Sequence, residues 1–180
     1  MGDVLAFWLV PTHETRDWFT KQIAALGERF NAPTFEPHLT VHVGPAEGVA
    51  SAASVVAEAA FEFEPITLRV DRVAHSELFT KTLFVEFHSD TALVNLQMKL
   101  QDRLPSDYVV SPHLSLLYHT LDEQQLEELA NALQLPFQEV RFEVLQAVNC
   151  PAHTSSAEDV RSWHIAEEFR LQGRTFPHSP

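Results

Sequence analysis

The stretch EPHLTVHVG, residues 36–44, shares the order Pro-His-Leu-hydroxyl-aliphatic with SPHLSLLYH, residues 111–119. Residues two apart in an extended strand lie on the same face, so the histidine and the hydroxyl of each stretch are predicted to point the same way. The aliphatic residues between them point to the other face, as the core side of a half-buried strand requires. Each stretch is therefore predicted to be a half-buried strand that displays a histidine and a hydroxyl.

Further strands and helices are predicted around these two stretches from the spacing of their apolar residues. The predicted strands cover residues 4–10, 66–75, 80–88, 139–150 and 162–171, and the predicted helices cover residues 16–30, 49–60, 91–104 and a segment that begins at Asp122. Each half of the chain then contains a helix, a histidine strand, another helix and further strands. This rough duplication predicts an α+β fold of two pseudo-symmetric lobes, each with an antiparallel sheet that faces a central groove and with helices outside.

The size and composition of the chain indicate one globular unit. Its 180 residues, of which 45% are hydrophobic, are enough to bury one good core. We therefore predict a single two-lobed domain over residues 1–180, with a loose tail over about residues 172–180. The apolar runs are shorter than a membrane span, and the opening MGDVLAFWLVP lacks the basic region of a signal peptide. A cytoplasmic monomer without membrane contact is expected.

The charge of the chain limits the partners that it can bind. Acidic residues outnumber basic ones by 25 to 12, which gives a formal net charge of −13. Binding to long nucleic acids normally uses a basic surface, because the release of counterions supplies much of the affinity. We therefore expect no long nucleic acid as a partner. A small phosphorylated ligand held by a few local donors remains compatible with this charge.

Two histidines across one cleft supply the acid and the base that cleavage of a phosphodiester requires. The entering oxygen needs a base and the leaving oxygen needs an acid, and one neutral and one protonated imidazole fill these roles near neutral pH. If the two histidine strands face each other, His38 and His113 flank one space. Thr40 and Ser115 would then donate hydrogen bonds to the non-bridging phosphate oxygens. This chemistry requires no metal ion, no cofactor and no covalent nucleophile.

Other kinds of site fit the sequence less well. His38 and His42 are predicted to share a face but lie about 13 Å apart along a strand, so one metal ion cannot easily bind both. The sequence contains no G-x-S-x-G element around Ser115 and no glycine-rich phosphate loop. The single cysteine, Cys150, excludes an internal disulfide and a zinc–thiolate cluster. No metal site is predicted.

The two motifs, HLTV at His38 and HLSL at His113, resemble those of the 2H phosphoesterase superfamily. The longer segment PHLSLLYH and the opening FWLVP are similar to its cyclic phosphodiesterase branch, in which a tyrosine follows the second motif. The resemblance implies a bilobal fold with a central groove and metal-independent opening of a cyclic phosphate. The substrate would be a nucleoside 2′,3′-cyclic phosphate or ADP-ribose 1″,2″-cyclic phosphate. RNA-end-processing relatives provide the nearest enzymatic alternative.

The resemblance also implies roles for individual residues. His38 and His113 would form the acid–base pair, with His113 activating water and His38 protonating the leaving oxygen, while Thr40 and Ser115 would hold the phosphate. Tyr118 would contact the phosphate or the ligand. Its odd offset from His113 turns it to the opposite face unless the strand ends or bulges before it.

Recognition of a nucleobase requires an aromatic side chain on which it can stack, and the predicted hairpin offers one. Strand alternation places Phe84 on the face of Thr82, away from the residues that are expected in the core, so Phe84 is predicted to lie at the groove. Trp8 is expected in the core. Lys81 is a rare cation near this hairpin that could meet a phosphate, although a solvated surface position is expected for it.

Two further functions are compatible with the sequence. One is an RNA 2′,3′-cyclic-end phosphodiesterase or ligase-like enzyme, which would need a local basic track that the sequence does not clearly show. The other is a non-catalytic module that binds a phosphorylated nucleotide. The presence of both histidines and both hydroxyls speaks against it, because binding alone needs no matched acid and base.

Overall fold

The structure, a computed structural model, describes residues 3–46 and 52–174. Its strands are β1 (Asp3–Pro11), β2 (Leu39–Pro45), β3 (Ile66–His75), β4 (Leu83–Phe87), β5 (His113–Leu117), β6 (Glu139–Pro151) and β7 (His164–Arg170). Its helices are α1 (His13–Phe30), α2 (Ala52–Glu62), α3 (Thr91–Arg103), α4 (Glu123–Ala132) and α5 (Ala157–Arg161), and a 3₁₀ turn covers Phe79–Lys81. The predicted α+β class is confirmed. The short helix α5 and the 3₁₀ turn were not predicted.

The seven strands pair in antiparallel fashion along one continuous path, β2-β1-β6-β3-β4-β5, with β7 paired to β6. This differs from the prediction of a separate sheet in each lobe, and the two-lobed arrangement is not confirmed. The cause is β3, which pairs with β6 through residues 66–69 and with β4 through residues 70–75. The two histidine strands, β2 and β5, form the ends of this path, yet they contact each other. The sheet therefore curls until its two ends meet.

Strand β1 shows how the sheet separates a core from a second face. Leu5, Phe7 and Leu9 are buried in the main hydrophobic core. The intervening Ala6 and Trp8 belong to a smaller apolar cluster on the other face. This alternation follows from the two-residue period of a strand, and both faces are covered, so the run reads as continuously apolar.

Helices α1 to α4 pack on the main-core face of the sheet through apolar stripes. Phe19 and Ile23 are buried on α1, and leucines at positions 93, 96 and 100 are buried on α3. Within residues 3–46 and 52–174, no helix combines the length and hydropathy needed to cross a membrane. The start predicted for α2 and most of the predicted loose tail lie outside the described residues. Residues 172–174, where that tail was expected to begin, are held to α2 and the loop after it by backbone hydrogen bonds of 2.7–3.0 Å.

Candidate active site

The face of the sheet opposite the main core lines a cavity of about 580 Å³. Both histidine strands contribute to it, since β2 provides Thr40 and β5 provides His113 and Ser115, while His38 immediately precedes β2. All four residues of the two motifs that were predicted to meet are therefore brought together. The contact between the two ends of the sheet causes this convergence.

The two catalytic candidates are held in the same way. His38 Nδ1 lies 2.6 Å from the carbonyl oxygen of Glu36, and His113 Nδ1 lies 2.6 Å from the carbonyl oxygen of Ser111. A carbonyl oxygen only accepts hydrogen bonds, so each Nδ1 carries a proton and donates it. In the neutral imidazole the Nε2 atom is then the basic nitrogen. Each histidine therefore keeps Nε2 for exchange of protons with a ligand in the cavity.

The surroundings of both histidines favour the neutral ring. Burial, together with the charge of the neighbouring His113, lowers the pKa of His38 to about 3. Burial also lowers the pKa of His113, and Lys81 adds to this effect, while the bond to Ser111 and the charge of Glu86 oppose it. Both imidazoles are thus neutral at neutral pH. An anion placed between them would favour protonation of either one.

The two hydroxyls differ in their partners. Ser115 Oγ donates to the carbonyl oxygen of Thr80 at 2.9 Å. Among the described residues Thr40 Oγ1 has no such partner, while the Thr40 carbonyl oxygen accepts from the hydroxyl of Tyr108 at 3.2 Å. The Thr40 hydroxyl is therefore ready to donate to a ligand, whereas that of Ser115 must first rotate away from a backbone acceptor.

Tyr118 lines the cavity although its offset from His113 is odd. A bulge in β5, where Leu83 pairs with Leu117 and Phe84 pairs with Ser115, leaves both Leu116 and Leu117 in the main core and turns Tyr118 to the cavity. The Tyr118 ring stacks on Phe35 with ring centroids 3.9 Å apart, and only 3% of the residue is exposed. Burial raises the pKa of its hydroxyl, so Tyr118 stays protonated and can donate a hydrogen bond.

Two tryptophans complete the wall around His38, and sequence reasoning missed both. The ring of Trp8 stacks on His38 with centroids 3.6 Å apart and planes at 11°. Trp163 meets the same imidazole edge-on at 5.8 Å. The signal for Trp8 was its even position in β1, which places it on the face of Ala6 rather than of Phe7.

Phe84 and Lys81 lie together beside His113. The Phe84 ring is 4% exposed and meets the His113 ring edge-on at 5.5 Å. Lys81 Nζ lies 4.5 Å above the Phe84 ring and lines the cavity. Phe84 is thus placed to support His113, and its predicted role as a platform for a base stays a prediction. Lys81 lies at the cavity, where a solvated surface position had been expected.

His42 is not a neighbour of His38 on the cavity face. A β-bulge pairs Trp8 with Thr40 and Phe7 with His42, which turns His42 toward the main core. There it is fully buried, with Nε2 2.6 Å from the carbonyl oxygen of Leu104. The prediction that His38 and His42 share a face is wrong for this reason. Within the described parts of the chain, no three histidine, cysteine or carboxylate side chains are grouped as metal ligands would be.

Comparison with known proteins identifies the family of this chain. Residues 14–148 match the 2′-5′ RNA ligase superfamily. The chain is 25% identical over 174 residues to a cyclic phosphodiesterase of Arabidopsis thaliana, and the alignment covers 94% of this chain and 96% of that protein.

Two solved structures show the same fold across nearly the whole chain. The protein TT0787 of Thermus thermophilus superposes with a TM-score of 0.61 at 16% identity, over 96% of this chain and all of that one. E. coli LigT complexed with 3′-AMP gives a TM-score of 0.58 at 14% identity, over 95% of this chain and 99% of LigT.

Proposed function

The chain belongs to the 2′-5′ RNA ligase superfamily, and from this membership we propose that it is a metal-independent cyclic phosphodiesterase that hydrolyses a small nucleotide-type cyclic phosphate. The family match also confirms the resemblance to 2H phosphoesterases that the two motifs indicated. The relative from Arabidopsis thaliana that bears the name cyclic phosphodiesterase supports the choice of reaction.

A single observation carries the proposal, namely the matched pair of imidazoles in one cavity. His38 and His113 each donate from Nδ1 to a backbone carbonyl, so both reserve Nε2 for the ligand. Attack on phosphorus needs one proton removed from water and one proton delivered to the leaving oxygen. The two Nε2 atoms supply one of these functions each. A site built only for binding would not need two such nitrogens.

The resemblance to 2H phosphoesterases assigns His113 as the base and His38 as the acid. Burial lowers the pKa of His38, so its protonated form depends on the negative charge of the bound phosphate and on the π face of the Trp8 indole that lies against the ring. His113 Nε2 then takes a proton from water as the water oxygen bonds to phosphorus. His38 Nε2 gives its proton to the ribose oxygen as the P–O bond breaks, and the ring is opened to a phosphomonoester.

The remaining polar groups act on the phosphate oxygens. The Thr40 hydroxyl donates to a non-bridging oxygen, where negative charge increases during attack. The Ser115 hydroxyl donates to the Thr80 carbonyl and reaches the phosphate by rotation, and the Tyr118 hydroxyl, which burial keeps protonated, is a further donor at the same cavity. Removal of one such donor typically lowers kcat by about 10²–10³-fold.

The size and charge of the site favour a small ligand. A cavity of about 580 Å³ lies in the usual range for small-molecule sites, and the net charge of −13 disfavours long RNA. Structures of E. coli LigT complexed with phosphate, ATP and NADP⁺ show that this fold holds such molecules in a relative. An enzyme acting on RNA 2′,3′-cyclic ends and a non-catalytic nucleotide-binding module are the alternatives. A cytoplasmic, monomeric protein stays a prediction.

The proposal is tested by phosphorus NMR of three candidate substrates in the presence of EDTA. We expect conversion of 2′,3′-cyclic AMP or ADP-ribose 1″,2″-cyclic phosphate to a phosphomonoester, and the chemical shift identifies the bond that opened. Turnover of cyclic-ended RNA alone would support the RNA-processing alternative. Binding of the nucleotides without any turnover would support the binding module.

A further inference from the structure

The cavity differs in charge from the rest of the molecule. The chain carries 25 acidic residues, yet none of the described residues that line the cavity is an aspartate or a glutamate. One lining residue, Lys81, is a permanent cation. In a protein of net charge −13, a cavity lining without carboxylates reduces the repulsion that an anionic ligand meets.

The contacts of Lys81 leave its charge uncompensated. Its Nζ donates to Ser111 Oγ at 3.2 Å and lies over the Phe84 ring at 4.5 Å. In the part of the chain that the structure describes, no carboxylate forms an ion pair with it, whereas Lys99 is paired with both Glu58 and Glu62. The hydroxyl and the aromatic face fix the position of the ammonium group without neutralising it.

Lys81 lies on the His113 side of the cavity and not beside His38. Its partner Ser111 supplies the carbonyl that holds His113, and its partner Phe84 packs against the His113 ring. The surroundings of His38, by contrast, are Trp8 and Trp163. A phosphate that is cleaved between the two imidazoles therefore lies inward of Lys81, and the ammonium group is left for a different anionic group.

This inference rests on the proposed function. We propose that Lys81 forms a second anion subsite beside His113, and that it selects cyclic phosphates that carry a further phosphate or diphosphate group. Of the two substrates that the resemblance to cyclic phosphodiesterases implies, ADP-ribose 1″,2″-cyclic phosphate has such a diphosphate, and 2′,3′-cyclic AMP has none. The Lys81 subsite therefore favours ADP-ribose 1″,2″-cyclic phosphate as the substrate.

The test compares these two ligands in Lys81→Met, Lys81→Arg and a matched control, Lys21→Met, which removes the same charge from an exposed position on α1. We expect Lys81→Met to lower kcat/KM about tenfold for the diphosphate-bearing substrate and less than about threefold for 2′,3′-cyclic AMP. Lys81→Arg keeps the charge and should restore most of the selectivity. Lys21→Met should change neither value, and circular dichroism checks that each variant folds.

A binding measurement separates this proposal from the proposed function. Dissociation constants are measured by calorimetry in His38→Ala and in His38→Ala/Lys81→Met, where turnover does not interfere. About tenfold weaker binding of the diphosphate ligand alone supports the subsite. An equal loss of affinity for both ligands would show that Lys81 contacts the cleaved phosphate. Unchanged affinity for both ligands would show that Lys81 does not contribute to binding. Either of these results overturns the subsite, whereas failure of the wild type to hydrolyse any ligand overturns only the proposed function.

Discussion

At the scale of single residues, the chemistry depends on which nitrogen of each imidazole is available. The carbonyl oxygens of Glu36 and Ser111 both accept from Nδ1, and each lies two residues before its histidine. The repeated sequence pattern thus sets the tautomer as well as the position of the ring. No distant side chain is needed for this, because the acceptor belongs to the same short segment.

The lowered pKa values of His38 and His113 predict an acidic optimum for kcat/KM. The free enzyme needs one protonated imidazole, and both pKa values lie below the usual 6.5. As pH rises above the higher of them, the singly protonated form is lost about tenfold per pH unit. We expect kcat/KM to be greatest below pH 6.5 and to fall steadily above it, when it is measured from about pH 4 to 9. A rate that rises between about pH 6 and 8 would contradict this reading.

The unequal partners of Thr40 and Ser115 predict unequal effects of their removal. Thr40→Val should lower kcat by about 10²-fold with little loss of stability, and Thr40→Ser should restore activity. Ser115→Ala also leaves the Thr80 carbonyl without its donor, which should cost about 1 kcal/mol of unfolding free energy. Steady-state kinetics and urea denaturation of the three variants check this. Equal loss of stability in Thr40→Val and Ser115→Ala would count against the assigned hydrogen bonds.

At the scale of elements, the period of the apolar residues predicts most strands and helices correctly. The two histidine strands were predictable because alternation assigns each residue to a face, and β5 follows it from His113 to Leu116, before a bulge that leaves both Leu116 and Leu117 in the main core. The bulge in β2 was not predictable, since it has no glycine or other marker at its site, and it turned His42 into the core. The helix α5 was too short to show a period.

Helix α4 provides an element that can be weakened without touching the cavity. Asp122 accepts from the backbone of Gln125, and the Gln125 side chain accepts in return from the backbone of Asp122. Asp122→Ala should lower the unfolding free energy by about 1 kcal/mol through loss of this cap. Because no residue of α4 lines the cavity, kcat/KM should stay unchanged. A change in kcat/KM larger than the change in folded fraction would show that α4 is coupled to the site.

At the scale of the whole molecule, the site exists because the ends of the curled sheet meet. The sequence shows two matching strands, but pairing partners are set by contacts between residues far apart in the chain. For this reason the role of β3 in joining both parts of the sheet was not predicted. The positions of Trp163 and Lys81 at the cavity depend on the same long-range arrangement and could not be predicted from local spacing.

Three histidines, His38, His42 and His113, bind protons less readily in the folded than in the unfolded chain, because burial lowers their pKa values below 6.5. Below pH 6.5 the unfolded state takes up more protons, so their contribution to stability is present above this pH and is lost as pH falls. His38→Gln should reduce the slope of unfolding free energy between about pH 6.5 and 4.5 by about 1 kcal/mol per pH unit. Urea denaturation measures this slope. An unaltered slope in His38→Gln would contradict the burial argument.

The two-histidine mechanism is tested most directly by the rate of cyclic phosphate opening in EDTA for the wild type, His38→Ala and His113→Ala. Each alanine variant should retain its circular dichroism spectrum and lose about 10²–10⁴-fold in kcat. Full activity of the wild type without divalent metal, together with both losses, is the result that we predict. Activity that EDTA abolishes and zinc restores, or a variant that keeps most of its rate, would contradict the assignment of these histidines as the acid and the base.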